Sequence, residues 1–248
     1  MQVSASNFCL YILLTLILIQ RTDIVFALQY GRPILFFRDS MSEVQITLAS
    51  SGLSLDRTSA ASAIRHNGLD PNLYEILLDV KSLTSLFNNI LADLTIDLNT
   101  FHEMLVSICC RLIRFHPLQS PRQESNIDAV YHIGLTVFMI TLFLQYGGRQ
   151  TSPYELVSLR LRDVLDGELN ELDDDLVLWL MFVGSIWVSG GTDGSWIISK
   201  IRRLARRLGI NSWAKVQRSV STFPWISALH DQLGRIVWNS VYQSPQTP

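Results

Sequence analysis

Charged residues are scarce in this sequence. They make up 17% of the chain, against about 25% in a typical soluble domain. Hydrophobic residues account for 48%, so some elements must be buried on most of their sides. The net charge of −2 gives no overall electrostatic attraction to nucleic acid. The 248 residues are enough for a sizeable core in one large domain or two small ones.

Cysteine is scarce too. Cys9, Cys109 and Cys110 cannot form a disulfide framework, which is typical of a protein in a reducing compartment. Two adjacent side chains point about 100° apart on a helix. Cys109 and Cys110 therefore suit the core of a helical domain better than a disulfide bridge or a metal site.

The sequence also lacks a catalytic constellation. His102-Glu103 begins like a zinc-protease motif, but Val106 stands where the second histidine must follow. His132 lies in an apolar run, which is typical of a satisfied core histidine. The neighbours His230-Asp231 do not face each other on a helix. The glycine-rich turn at 189–195 lacks the Lys-Ser/Thr pair and the strand of a phosphate-binding loop. We therefore expect no enzyme activity, no cofactor and no metal.

No apolar run reaches the roughly 20 residues that a membrane-spanning helix needs. The longest runs are Phe8–Ile19, Ala129–Tyr146 and Leu176–Ser189, of twelve, eighteen and fourteen residues. A small membrane protein with these three runs embedded stays an alternative. The lengths favour buried helices of an all-α domain, with the second run as the central helix.

Residues 1–40 form an apolar N-terminal extension with three possible origins. Phe8–Ile19 has the length of a signal-peptide core or anchor, with a small-residue cleavage site after Ala27. That origin predicts secretion or membrane association, although no basic residue precedes the run. A second possibility is a misassigned start, with the natural chain beginning at Met41. The third is a helix of the core.

The rest of the chain predicts one all-α domain. Residues 41–69 are polar and read as a linker or a weak helix around Arg57–His66. From residue 70 to 242, apolar residues recur every three or four positions, which indicates helices with one buried face. We expect antiparallel helix pairs around a buried central helix at about 127–146, and a disordered tail at 243–248.

Polar and proline residues mark where these helices begin. Such residues satisfy or replace the free N–H groups of a first helical turn. The predicted starts are at Asp70-Pro71, Asp97 or Asn99, Ser125 or Asn126, Ser152-Pro153, Thr192 or Asp193, and Pro224.

One basic cluster has a plausible functional reading. It consists of Lys200, Arg202, Arg203, Arg206 and Arg207, on an amphipathic helix predicted from Trp196 to Leu208. Five cations in eight residues could serve as a nuclear import signal, a nucleic-acid contact or a partner patch. The alternative is a solvated helix face whose cations pair with the seven acids between Asp163 and Asp175.

Four segments carry a resemblance to a known family. They are CCRLIRFHPL (109–118), AVYHIGLTVFMITLFLQYGGR (129–149), DDDLVLWLMFVGSIWV (173–188) and FPWISALHDQLGRIVW (223–238). In this order they resemble the C-terminal half of the fungal-specific transcription factor domain. That helical regulatory region usually follows a zinc binuclear cluster.

The resemblance implies a non-enzymatic regulatory or interaction domain in the nucleus, acting through protein partners or a small effector. The family's zinc cluster needs six closely spaced cysteines, and only Cys9 precedes Cys109. No metal ligand or DNA-contacting residue can therefore be carried over, and we expect no direct nucleic-acid binding. The chain is then either part of a longer regulator or a stand-alone homologue. A secretory or membrane location is the alternative, through Phe8–Ile19.

Overall fold

The computed structural model describes residues 5–36, 38–63, 68–89, 96–120, 124–143, 154–169, 171–188 and 194–243. Side chains are described over the same ranges except at residues 5–17, 63, 143 and 243. The described backbone contains eleven helices and no strand, which confirms the predicted all-α fold. The helices are α1 (Ala5–Tyr30), α2 (Met41–Ser50), α3 (Arg57–Ala63), α4 (Pro71–Asn89), α5 (Leu98–Phe115), α6 (Asn126–Phe143), α7 (Glu155–Asp166), α8 (Asp174–Val188), α9 (Ser195–Arg207), α10 (Trp213–Val220) and α11 (Ser227–Gln243).

Two helices, α6 and α8, form the centre of the fold. Every residue from Ala129 to Leu142 of α6 and from Leu176 to Val188 of α8 is buried. The two helices pack against each other. This agrees with the prediction of a buried central helix at about 127–146, of which residues 144–146 lie outside the described part.

The remaining helices cover this central pair. α4, α5 and α7 pack against α6, while α7, α9, α10 and α11 pack against α8. Consecutive helices from α3 to α9 contact each other, as short connections favour. One hydrophobic core runs through these interfaces, and Trp179, Tyr131 and Phe138 are among its largest fully buried side chains.

Three of the six predicted helix starts agree with the structure. Asp97 accepts hydrogen bonds from the N–H groups of Asn99 and Thr100, at 3.0 and 3.2 Å, and Pro71 is the first residue of α4. Ser125 precedes α6, and its hydroxyl accepts from the Asp128 N–H at 3.2 Å. The predicted caps Thr192 and Asp193 lie outside the described residues.

Two helices start later than predicted. α7 begins at Glu155, two residues after Pro153, which lies outside the described part. α11 begins at Ser227 rather than at Pro224. The Pro224 carbonyl accepts from the indole N–H of Trp179 at 2.9 Å, and the Trp225 carbonyl accepts from the Asn88 side chain at 2.8 Å. Tertiary partners therefore hold the two residues at 224–225 in the segment that precedes the helix.

The described part of α1 belongs to the core. Ile24, Ala27 and Leu28 are buried, and α1 packs against α5 and α7. The cleavage site suggested after Ala27 lies inside this helix. In the structure this stretch packs against the rest of the domain, and the three origins suggested for residues 1–40 stay predictions.

Residues 41–69 contain two helices, α2 and α3. α2 packs against α5 with Met41, Val44 and Leu48 buried, and α3 packs against α4. The three buried residues of α2 are spaced three and four positions apart. In a polar sequence so short a pattern does not identify a helix. The weak helix predicted near Arg57–His66 is present as α3, and residues 64–67 lie outside the described part.

Among the helices that the structure describes, none is both long and apolar enough to cross a membrane.

The contact between α6 and α8 depends on a glycine. A Cβ at Gly134 would lie 2.5 Å from the Trp179 ring, whereas one at Gly184 would lie 3.0 Å from a methyl group of Leu161. Trp179 is held by its N–H bond to Pro224 and cannot withdraw, while a leucine methyl can rotate away.

We therefore expect Gly134→Ala to lower the free energy of unfolding by about 1–2 kcal/mol. Because the contact would be as short as 2.5 Å, we place the overpacking cost at about 2–3 kcal/mol, the upper part of its usual range, which outweighs the roughly 1 kcal/mol that alanine gains in helix propensity. Gly184→Ala is the control, and we expect it to be neutral or stabilising. Urea unfolding followed by tryptophan fluorescence measures both. A Gly134→Ala protein as stable as Gly184→Ala would contradict the close-contact account.

Candidate functional site

The basic cluster lies on α9, whose apolar face is buried. Ile197, Ile201 and Leu204 enter the core, and this leaves the cations on the remaining surface. The structure divides the five predicted site residues into two groups. Lys200, Arg203 and Arg207 line one small cavity, because positions three and four apart share a helix face. Arg202 and Arg206 lie outside it.

The cavity is about 250 Å³ in volume. α9 supplies its cationic wall, and its other walls come from the end of α7 and the turn after it, and from α8. Their lining residues are apolar or small: Leu165, Gly167, Leu169, Val177 and Met181, to which α9 adds Leu204. An apolar floor beside three cations is suited to an amphipathic anion.

Two of the lining cations are partly neutralised by acids of the 163–175 stretch. The Lys200 ammonium lies 2.7 Å from the Asp166 carboxylate and donates to the Leu165 carbonyl at 2.9 Å. Arg207 pairs with Asp174 at the first turn of α8. The carboxylates of Asp166 and Asp174 are 57% and 36% exposed. Exposed pairs of this kind are worth about 0–1 kcal/mol, so a bound anion can compete for the cations.

Arg203 is the unpaired cation of the cavity. It is exposed, and it forms no ion pair within the described part of the chain. It lies between Lys200 and Arg207 in sequence, so an anion at the cavity has one guanidinium free for a charge-assisted hydrogen bond. This makes Arg203 the residue most suited to hold a ligand.

The other two basic residues have different surroundings. Arg202 donates to the Val241 carbonyl at 2.6 Å and so connects α9 to the end of α11. Arg206 is exposed to solvent. Arg202 is therefore structural, and Arg206 serves as an internal reference for the effect of an exposed charge.

The sequence did not predict the cavity. The spacing of Lys200, Arg203 and Arg207 is visible in it, but the apolar floor comes from three separate segments. Their arrangement follows from how α7, α8 and α9 pack. The acid-rich stretch supplies Asp166 and Asp174, which pair with two of the cations.

The buried histidines act as core residues. His132 Nε2 lies 2.9 Å from the Leu112 carbonyl, and His230 Nε2 lies 3.1 Å from the Thr141 hydroxyl. Asp231 instead accepts from the indole N–H of Trp225 at 2.7 Å. His230 and Asp231 therefore have different partners and form no acid–base dyad.

The remaining candidate motifs have structural roles as well. His102 is buried, with Nε2 at 3.2 Å from the Gln20 side-chain oxygen. Cys109 and Cys110 are free and buried, and burial raises the pKa of the Cys110 thiol to about 12. The described residues contain no group of three or more potential ligands able to hold a metal ion. Most of the glycine-rich turn lies outside the described part.

The structure contains a buried ion cluster that was not predicted from the sequence. Glu124 lies 3.2 Å from His116 Nε2 and also pairs with Arg160, and both the Glu124 and Arg160 side chains are less than one-tenth exposed. Burial acts to raise the pKa of Glu124, but its backbone hydrogen bond and the Arg160 charge outweigh burial and lower it. The cluster connects the turn before α6 to α7. No described cavity opens onto it, so we assign it a structural role.

Comparison of this chain with protein-family models, with curated proteins and with solved structures finds no match. The resemblance to the fungal-specific transcription factor domain therefore stays a prediction from the sequence.

The neutral buried histidines predict acid sensitivity. Burial lowers the pKa of His132 to about 4 and that of His230 to about 4. His116, Glu124 and Arg160 face His132, whereas Asp231 is the charge nearest His230. In the unfolded chain a histidine protonates near pH 6.5, so that below this pH the unfolded state binds more protons.

Stability from both histidines is therefore complete above about pH 7 and is lost as the pH falls towards 4. We expect each to lower the free energy of unfolding by roughly 2 kcal/mol at about pH 5. His132→Gln, which keeps a donor for the Leu112 carbonyl, should remove about half of this loss. Urea unfolding between pH 7 and 5 measures it. If the free energy of unfolding of the variant falls with pH as steeply as that of the unchanged protein, His132 is not a source of the loss.

Proposed function

We propose that this chain is a regulatory domain that binds a small amphipathic carboxylate in the cavity between α7, α8 and α9. The observation that carries the proposal is the lining of that cavity, where Lys200, Arg203 and Arg207 border an apolar floor. Effector sensing is also what the resemblance to the fungal-specific transcription factor domain implies. The proposal covers a non-enzymatic role, with protein partners responding to the bound state, and a nuclear location.

The size and chemistry of the cavity limit the ligand. A volume of about 250 Å³ lies just below the range of small-molecule sites, which is about 300–1,000 Å³. The ligand is therefore a compact acid, such as a short branched or aromatic carboxylate. Its apolar body would contact Met181 and Leu204, and its carboxylate would reach Arg203.

Binding would also connect three helices. Lys200 already connects α9 to the end of α7, and Arg207 connects it to the start of α8. An anion that contacts all three cations would strengthen the same junction. A regulatory change in shape or stability would then begin there.

Titration with benzoate, phenylacetate and isovalerate, each compared with its neutral amide, tests this proposal. We expect acids but not amides to bind, with weaker binding at high salt. Arg203→Gln should weaken binding at least about tenfold, because a hydrogen bond to a charged group is worth about 1.5–3 kcal/mol. Arg206→Gln is the matched control on the same helix and should leave the affinity unchanged.

Isothermal titration calorimetry or ligand-observed NMR measures these affinities. Equal losses in the two variants would mean that net charge, and not the cavity, attracts the acid. Equal affinity for an acid and its amide would mean that the three cations of the cavity do not contribute to binding.

Nuclear import through the basic cluster is a second candidate, favoured by the exposure of Arg203, Arg206 and Arg207. Arg202 is unsuitable for this test because it binds the Val241 carbonyl. We expect a fluorescent fusion carrying Arg203→Gln, Arg206→Gln and Arg207→Gln to lose nuclear accumulation. The control replaces Lys215, Arg218 and Arg235, three exposed cations of α10 and α11. Unchanged localisation of the first variant would exclude the import role.

A further inference from the structure

Large apolar side chains are exposed together near the end of α1. Leu18 is 63% exposed and Phe26 48%, while Leu35 and Phe36 in the segment after α1 are 76% and 59% exposed. Single exposed apolar residues are ordinary, but a contiguous group marks an interaction site. This group lies apart from the α9 cavity, since the two share no lining residue.

These residues form the two walls of a groove. One wall is a stripe of α1 that includes Leu18, Thr22 and Phe26, and the other is the segment at 32–36. The space between them is about 600 Å³, which falls within the range of ligand sites. The groove is concave, and so it suits a single chain better than a flat bilayer surface.

Hydrogen bonds hold the second wall in place. The Asp23 carboxylate accepts from the N–H groups of Leu35 and Phe36, at 2.9 and 2.8 Å. Gly31 turns the chain with φ at +63°, and its N–H donates to the Ala27 carbonyl at 2.8 Å. The groove is therefore formed before any ligand arrives, which lowers the entropic cost of binding.

Two charged residues of opposite sign line the groove, Asp23 and Arg32. Asp23 is occupied by the two backbone donors, whereas Arg32 is exposed and forms no ion pair with the residues described here. Arg32 also lines a second cavity of about 470 Å³, whose other residues include Ile34, Ile113 and Leu118. A cation beside an apolar groove complements a ligand that has a long apolar chain and an anionic end.

We propose that this groove binds a free long-chain fatty acid. The acyl chain lies between Leu18 and Phe26 on one side and Phe36 on the other, and its carboxylate binds the Arg32 guanidinium. The apolar walls supply the affinity, and Arg32 selects an acid over an uncharged chain of equal length.

Displacement of a fluorescent fatty acid from the full chain, by saturated acids of eight to sixteen carbons kept below micelle formation, tests this. Affinity should rise about fourfold for each added methylene until the groove is filled, and then level off. Phe36→Ser should weaken binding at least tenfold. Ile46→Ser is the matched control, because Ile46 on α2 is 71% exposed and lies outside the groove. Arg32→Gln should weaken binding of acids and leave that of the corresponding alcohols unchanged.

Three outcomes would overturn the proposal. Binding to neutral phospholipid vesicles but not to monomeric acids would assign the surface to a membrane. Concentration-dependent dimers that Phe36→Ser abolishes would assign it to a second copy of the chain. Loss of fatty-acid binding in Arg203→Gln would move the ligand to the α9 cavity. Retention of binding in that variant supports the groove and keeps it independent of the proposed effector site.

Discussion

The close contact between α6 and α8 is the constraint on which the rest of the structure depends. Neither helix has a polar face to present to water, because all their residues from 129 to 142 and from 176 to 188 are buried. They can touch only because Gly134 leaves room for the Trp179 ring. Unless other helices cover them, two such helices expose much apolar surface to water. This exposure costs about 25 cal/mol of free energy per Å² of apolar surface. The amphipathic helices α4, α5, α7, α9 and α11 meet that requirement with one apolar face each.

Several polar side chains that this core encloses form hydrogen bonds to the backbone or to one another. The hydroxyl of Thr136 donates to the His132 carbonyl at 2.8 Å, and that of Thr141 donates to the Phe138 carbonyl at 2.6 Å. His132 bonds α5 through the Leu112 carbonyl, and His230 meets Thr141 from α11. An unmade bond at such a site costs about 1–3 kcal/mol. The histidines thus fix the position of α6 relative to two neighbouring helices while remaining uncharged.

The fold class and most helices could be predicted because their signals are local. Periodic apolar residues define α4, α5 and α9, and Asp97 and Pro71 define where two helices begin. The start of α11 could not be predicted, since distant partners, Trp179 and Asn88, hold the carbonyls before it. The burial of α1 and α2 could not be predicted either, because it depends on which other helices they pack against. The candidate cavity had one visible part, the spacing of Lys200, Arg203 and Arg207, but packing supplies its apolar floor.

Both proposed sites lie where the surrounding helices leave apolar surface uncovered. The contacts of their basic residues determine which substitutions can test ligand binding. Arg203 and Arg32 are exposed and form no ion pair within the described residues. Lys200 and Arg202 differ, since each donates to a backbone carbonyl of another helix. Surface substitutions away from such contacts usually change stability by less than about 0.5 kcal/mol. Loss of binding on replacing Arg203 or Arg32 therefore reports on the ligand contact itself, whereas loss on replacing Lys200 or Arg202 would combine ligand contact with helix packing.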